Sequence, residues 1–404
     1  MKTLLNQNIL LLNNQGLNES GGGVSMIEAL VRHFSEKNAV TLISEGNEPS
    51  CTTGLFTNIK FVPQRFETRA VLWRFAPLLK ALALRKSLRH LVADYDIVIA
   101  MDCRYAFALW KYCRRSLRAY ISLSAIPIVA YLDSELTSQQ HLVFAQYLLL
   151  ERRAFHQAQI SFVSSKTHLE EVKKYERLRV RPHVIYPFLE TRSSCSQDER
   201  LREDAKQLLG LSGKIIVLTV ARMTRLKNVE FIIDLATQIT RDDVVFVVVG
   251  DGDHYRIIEQ MIEQRGLSNR MRLFGRLENP CQCYQAADIY LHPSKYESFC
   301  CTIYEAMLSG LPVVFPKTAS GYVSAFEELI EKEDALPLDF GNLNNVKEQL
   351  QHLIEKVELR QTMGTQARRK AESFAQDFPS YAEEVDRHIA DIYETTTNRR
   401  KERM

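Results

Sequence analysis

Residues 286–321 read AADIYLHPSKYESFCCTIYEAMLSGLPVVFPKTASG, and the fold is decided by how this stretch is read. Ile289, Tyr290 and Leu291 form an apolar run of strand length, stopped by His292-Pro293-Ser294. Lys295 to Phe299 makes a loop. Cys301 to Ser309 has helical spacing and is closed by Gly310, with Pro312 just beyond. Val313, Val314 and Phe315 give the next strand. The unit is strand, loop, helix, strand, for which a right-handed crossover in a parallel sheet is expected. Two carboxylates, Glu297 and Glu305, bracket the junction of loop and helix.

That placement has a chemical meaning. The free N–H groups of a helix start, here Ser298 to Cys301, attract an anion such as a diphosphate. An acid one or two turns into the helix can accept hydrogen bonds from the vicinal hydroxyls of a ribose. An acid in the preceding loop can do the same for a second polyol beyond the phosphates. A nucleotide–diphosphate–sugar carries its groups in that order. Two glutamates at this spacing also occur as ordinary solvated charges, so the wider chain has to decide.

Working outward toward the N-terminus, the same alternation recurs. Lys214 to Ala221 reads as a strand, Asn228 to Thr240 as a helix, and Val244 to Val249 as a strand ending in Gly250-Asp251-Gly252. A helix follows at His254 to Arg265, then a strand at Met271 to Phe274 and Gly275-Arg276-Leu277. Arg222 follows a strand and Lys227 precedes a helix, so both can reach the crevice at the carboxyl ends of the strands and neutralise a diphosphate. Two surface cations in a loop would look the same. Asp251-Gly252-Asp253 has a metal-binding look, but we read it as a Gly-x-Gly turn with Asp253 capping the next helix.

The N-terminal half opens in a similar way. Asn8 to Asn14 is an apolar strand, followed by a loop with Gly21-Gly22-Gly23, an amphipathic helix Val24 to Ser35, and a strand Val40 to Ser44. Further strands are expected at Ile97 to Ala100, Ala119 to Leu123, Pro127 to Tyr131, Gln159 to Val163 and Val184 to Tyr186. Thr191 to Asp204 is polar without apolar periodicity and reads as a linker. Helices are expected at Leu343 to Val357, Leu359 to Ala375 and Tyr381 to Tyr393, with Thr395 to Met404 a frayed basic tail.

Bulk composition narrows the function classes. With 404 residues, 46% hydrophobic and 25% charged, the chain can bury two sizeable cores. A net charge of +3 gives no case for nucleic acid as a partner. The eight cysteines are scattered, without the paired spacing of a zinc site, and read as reduced thiols. Neither a signal peptide nor a transmembrane run is expected, which points to a cytoplasmic protein. Residues 68–93 carry Arg69, Arg74, Lys80, Arg85, Lys86 and Arg89 without an acid, interleaved with apolar residues. A second basic helix is read over Tyr105 to Tyr120. Such stretches fit an anionic membrane surface, or simply a solvated basic face.

Taken together, Glu297-Ser298-Phe299, Glu305-Ala306-Met307 and Gly310-Leu311-Pro312-Val313-Val314 resemble the Glu-x7-Glu signature of retaining glycosyltransferases of family 4, the glycosyl transferases group 1. Thr219-Val220-Ala221-Arg222, Leu226-Lys227-Asn228 and Gly250-Asp251-Gly252 match that family in order and spacing. Cys300 and Ala221 depart from it, each standing where the family usually has Gly. The resemblance implies an α/β GT-B fold: two Rossmann-like doubly wound domains facing across a cleft. The expected divisions are an N-terminal acceptor-binding domain at 1–190, a linker at 191–205, a nucleotide-sugar-binding domain at 206–380, and a final helix crossing back, with its tail, at 381–404.

The same resemblance implies roles. Arg222 and Lys227 would hold the donor pyrophosphate and stabilise its growing charge, and Glu297 would complete the catalytic set. Donor binding would fall to Gly22, Gly23, Arg276, Leu277, Ser298, Phe299, Cys300, Cys301 and Glu305. Asp133 or Ser134 sits where relatives often carry a cleft histidine on the acceptor side. No metal and no cofactor are implied, because the helix start and two cations supply the positive charge. The implied partners are a UDP- or GDP-sugar and a glycan or lipid-linked acceptor. A bacterial cell-envelope polysaccharide or lipopolysaccharide acceptor, met at the inner face of the cytoplasmic membrane, would fit. A nucleotide-sugar epimerase of the same fold and a non-catalytic partner subunit are the alternatives.

Overall fold

The computed structural model describes residues 2–13, 22–45, 59–64, 77–90, 92, 94–113, 115–123, 138–175, 181–188, 199–277, 279–319, 322–331 and 334–401. The chain divides into two units. One comprises residues 1–19, 23–189 and 379–404, and the other residues 20–22 and 190–378.

The first unit is built on a wholly parallel sheet. Its strands are β1 (Asn8–Leu12), β2 (Ala39–Glu45), β3 (Ile59–Gln64), β4 (Ile97–Ala100), β5 (Leu117–Ile121), β6 (Ile160–Val163) and β7 (His183–Val184), in the spatial order β3-β2-β1-β4-β5-β6-β7. Continuous apolar runs suit strands covered on both faces, and β1, β4 and β6 are buried accordingly. β3 was not legible as a strand. It lies at the sheet edge, where Pro63 costs no interior ladder bond. The supposed basic helix over 105–120 is not one element. Cys103–Leu109 is a helix, a single 3-10 turn follows at Trp110–Tyr112, and Arg118 lies within β5. The expected strand over 127–131 falls outside the described residues.

The helix Tyr381–Lys401 completes this unit. Tyr381, Ala382, Val385, Ile389 and Ala390 share one apolar core with Ile9, Leu11, Ile27, Leu30 and Phe34. Asp386 accepts hydrogen bonds from Thr3 Oγ1 (2.5 Å), Leu4 N (3.0 Å) and His33 Nε2 (2.9 Å). The expected frayed tail is corrected here. No breaker interrupts Thr395 to Lys401, so the helix runs on, with Lys2 paired to Asp391 and Glu394.

The second unit has its own parallel sheet: β8 (Ile215–Val220), β9 (Val244–Val249), β10 (Met271–Gly275), β11 (Ile289–Leu291), β13 (Val313–Pro316) and β15 (Leu336–Leu338), ordered β10-β9-β8-β11-β13-β15. A two-stranded parallel ladder, β12 (Tyr296–Glu297) with β14 (Val323–Ser324), stands beside it. Strand order reverses between β8 and β11. In open sheets of this kind, that crevice at the carboxyl ends is where ligands bind.

Two local readings are corrected in this unit. Residues 199–205, assigned to the linker, begin the helix Glu199–Leu208; residues 191–198 lie outside the described set. The helix escaped notice because charge rather than apolar periodicity holds it. Arg202 and Lys206 both pair with the buried Asp288, and Lys206 Nζ also donates to Lys214 O (2.8 Å). Asp253 does not cap the next helix, since His254 occupies the N-cap and no side chain caps it. Gly250-Asp251-Gly252 is nonetheless a tight turn. A Cβ on Gly250 would stand 2.0 Å from the Ala221 carbonyl oxygen, and one on Gly252 would stand 2.3 Å from that of Met223. Side chains there would push the loop after β8 out of place.

Cys103, Cys113, Cys283, Cys300 and Cys301 are free thiols.

Candidate functional site

The loops that follow β8 and β11 are stapled together by the backbone. Lys295 N donates to Leu226 O (2.8 Å), and Asn228 Nδ2 donates to Pro293 O (3.2 Å). Asn228 takes φ +53°, a left-handed conformation that asparagine tolerates, and so turns the chain after the 3-10 turn Arg225–Lys227. The docking carries Lys227 to Glu297, whose position is fixed in turn by the β12–β14 ladder. Lys227 Nζ donates to Glu297 Oε1 at 2.5 Å.

His292 reaches the same carboxylate. Its Nε2 lies 2.6 Å from Glu297 Oε1, and its Nδ1 lies 3.3 Å from the Tyr290 hydroxyl, which donates to Val220 O (3.2 Å). Since that hydroxyl spends its proton on Val220, it accepts from Nδ1–H. An acceptor beside each ring nitrogen favours the protonated ring. Burial works against charge on His292, but Cys300 and Glu297 outweigh it and lift the ring to about 9. Burial alone would raise the Glu297 carboxyl, yet Lys227 and His292 hold it well below the usual carboxylate range. Lys227 is raised, burial being overcome by Glu297. One buried carboxylate thus faces two cations, and their surplus positive charge suits an incoming anion.

Cys300 is the N-cap of the helix Cys301–Leu308, with φ +82° and its Sγ 3.3 Å from His292 Nε2. The Phe299 ring packs inward against Phe326, centroids 5.5 Å apart, which leaves its backbone to line the loop. Ser298 and Cys301 are half-buried beside it, and burial pushes the Cys301 thiol up to about 12. Two turns into the helix, Glu305 accepts from Tyr284 OH at 2.8 Å. Burial raises its carboxyl, and the tyrosine bond offsets part of that rise.

The other expected residues are more dispersed. Arg222 is exposed two residues past β8, Arg276 is exposed just past β10, and Leu277 beside it is half-buried. Gly22 and Gly23 are the first two residues of the helix Gly22–Ser35. Asp133 and Ser134 lie outside the described residues. Two members of the site went unread in the sequence. His292 had a signal, as a histidine ending a buried strand at the sheet's carboxyl edge. Tyr284 had none, because only the packing of Cys281–Ala286 near Cys301–Leu308 brings it to Glu305.

A further polar network sits in the first unit, just past β5 and β6. Ser122 Oγ donates to Glu151 Oε1 (2.7 Å) and lies 3.2 Å from His168 Nε2, whose Nδ1 is 3.0 Å from Ser164 Oγ. All four residues are buried. Burial lowers His168 to about 3 and raises Glu151 to about 7.

Two doubly wound α/β units, one holding a cation–carboxylate cluster at the switch point of its sheet, define the GT-B class. The family description "Glycosyl transferases group 1" matches residues 202–370. Among curated relatives, N-acetyl-alpha-D-glucosaminyl L-malate synthase of Bacillus anthracis is 24% identical over 222 residues, 54% of this chain and 56% of that protein. A GDP-mannose-dependent alpha-mannosyltransferase of Mycolicibacterium smegmatis is 32% identical over 121 residues, 30% of this chain and 29% of that protein. The chain therefore spans about half, or less, of the length of the curated relatives it matches. Solved structures agree in fold over nearly the whole chain. HepE of Anabaena with UDP-glucose gives a TM-score of 0.74 at 20% identity, covering 96% of this chain and 100% of that one. WaaG, a glycosyltransferase involved in lipopolysaccharide biosynthesis, gives 0.74 at 19% identity, covering 95% and 99%.

Proposed function

We propose that this chain is a retaining, metal-independent glycosyltransferase that moves a sugar from a UDP- or GDP-sugar to an acceptor hydroxyl in bacterial cell-envelope polysaccharide or lipopolysaccharide synthesis. The observation that carries the proposal is the cluster Lys227–Glu297–His292 at the switch point, one helix start away from Glu305. In this reading Lys227 and Arg222 take the diphosphate, and the N–H groups at Cys300 and Cys301 share its charge. Glu305, oriented by Tyr284, accepts from the ribose hydroxyls. Glu297, oriented by His292, accepts from the donor sugar. The departing phosphate assists deprotonation of the acceptor on the same face. UDP complexes of the structural relative HepE and the lipopolysaccharide role in the name of WaaG support the donor and acceptor classes.

Release of UDP or GDP from a panel of nucleotide sugars, with and without glycan acceptors, tests the proposal. Donor conversion without acceptor, followed by NMR, would mark an epimerase. Binding without release would mark a partner subunit. Glu305→Gln should weaken UDP binding by roughly tenfold, the loss of one charge-assisted bond; unchanged affinity would remove it from the ribose site. Turnover lost to EDTA and restored by Mg²⁺ or Mn²⁺ would refute metal independence.

No helix among the described residues is long and apolar enough to cross a membrane. For peripheral association the helix Pro77–Leu88 is the best candidate: Leu79 is 54% and Leu82 42% exposed, near Lys86 and Arg89. Flotation with anionic liposomes at low salt tests it, and an absence of binding returns this helix to an ordinary solvated face.

A further inference from the structure

We propose that His292, Glu297 and Cys300 form a binding site for a zinc-type divalent cation, which competes with Lys227 for Glu297. Nε2 of His292, a carboxylate oxygen of Glu297 and Sγ of Cys300 all lie within 4.8 Å of one another, and all three residues are buried. Imidazole, carboxylate and thiolate are the ligand types zinc takes. Three protein ligands leave a fourth position open, as in zinc sites that exchange a ligand.

Distances support the fit. Bonds of about 2.0 to 2.3 Å at tetrahedral angles place ligand atoms roughly 3.3 to 3.6 Å apart. The separation of Cys300 Sγ from His292 Nε2 is already 3.3 Å. That of His292 Nε2 from Glu297 Oε1 is 2.6 Å and needs to open by less than an ångström, as follows when a metal replaces the bridging proton. Coordination requires the imidazole to give up its Nε2 proton and the thiol its own, and both leave to solvent.

The surroundings are those of an oriented site. The far nitrogen of His292 is held by Tyr290 OH (3.3 Å), which is itself fixed by Val220 O (3.2 Å). Cys300 Sγ has Thr302 Oγ1 at 3.4 Å. Outer partners of this kind set the tautomer and aim of a metal ligand. Because Lys227 Nζ shares Glu297 Oε1 with His292, a cation here displaces the ammonium. The consequence for the donor rests on the proposed function, whereas the site itself does not: with Glu297 captured and Lys227 expelled, the donor loses two of its contacts.

Cobalt(II) titration of the metal-free, reduced full chain tests the site, since Co²⁺ reports thiolate and tetrahedral ligation by absorption. We expect a sulfur-to-cobalt charge-transfer band saturating at one equivalent and bleached by Zn²⁺. Cys300→Ala should abolish it and Cys301→Ser should retain it. Cys300→Gly, which accepts φ +82° without strain, is a second variant should the first fold poorly. No thiolate band in the wild type, or a band surviving both Cys300 variants, overturns the site. Saturating Zn²⁺ should weaken UDP-sugar binding about tenfold or more; unchanged affinity overturns the competition. A chain that binds cobalt but neither UDP nor GDP keeps the metal site and loses the glycosyltransferase reading, and one that binds UDP without a thiolate band does the reverse.

Discussion

Lys227→Ala removes one of the two cations on a buried carboxylate. The side chains of Lys227 and Glu297 are 24% and 10% exposed, so solvent replaces the lost ammonium poorly. Orphaning a buried charge completely costs about 3–5 kcal/mol. His292 still donates at 2.6 Å, so roughly half of that, about 2 kcal/mol, is the expected loss. Neither tryptophan, Trp73 or Trp110, falls in residues 190–378, and fluorescence would miss the change. Amide hydrogen exchange over 289–308 reads it directly, with protection falling about thirtyfold. Adding Glu297→Gln should restore most of the protection, because the glutamine leaves no charge behind. That gives a coupling of about 2 kcal/mol in the double-mutant cycle. Nucleotide release should fall roughly 100- to 1,000-fold in the single variant. Unchanged exchange in Lys227→Ala, or strictly additive effects in the double variant, would refute the buried-pair argument. Normal turnover would take Lys227 out of the site.

Three further outcomes follow from packing. Asp288→Ala leaves Arg202 and the buried Lys206 without their shared partner and removes the acceptor of Ile216 N. The helix Glu199–Leu208 should lose exchange protection first, at a cost of about 3–5 kcal/mol; protection equal to wild type would mean the ion pairs are idle. Gly250→Ala drives a methyl into the Ala221 carbonyl at φ +138° and should cost roughly 3 kcal/mol or more, read as a lower denaturation midpoint. Glu151, lifted to about 7 by burial among Ser122, Tyr120, Asp102 and Cys103, favours folding in its protonated form. That contribution is complete below pH 4.5 and disappears as pH rises through 7. His168, lowered to about 3, contributes the opposite slope below pH 6.5, so the Glu151 contribution is read as a difference: the stability of wild type minus that of Glu151→Gln, from urea unfolding followed at Trp110, which packs against Tyr120, should fall by about 3 kcal/mol over that range. A difference that stays constant with pH would contradict it.

Most of the second unit was legible because its strands are short apolar runs between turn residues. β11, the helix Cys301–Leu308 and β13 fall within a residue or so of where the spacing puts them. The sequence also put Lys227 just before one helix and Glu297 in the loop before another, and a doubly wound sheet gathers such loops at one crevice. It did not reveal that the two form an ion pair, because the 2.5 Å contact depends on loop docking by Leu226 O and Asn228. Helix Glu199–Leu208 was hidden for a related reason: its anchors are Arg202 and Lys206, residues that a search for apolar periodicity counts as solvent-facing. Where apolar burial organises the chain, pattern suffices. Where a buried charge does, the partner must be seen.

The helix Tyr381–Lys401 has a consequence for biosynthesis. Its Asp386 binds Leu4 N across 382 positions of chain, and its apolar face closes the core that β1 and the helix Gly22–Ser35 begin. During translation, then, the first half to emerge from the ribosome is the last to be finished. It must hold an open apolar seam while all of residues 190–378 are made. Truncation ahead of Pro379 strands it in that condition, prone to aggregation however well the other half has formed.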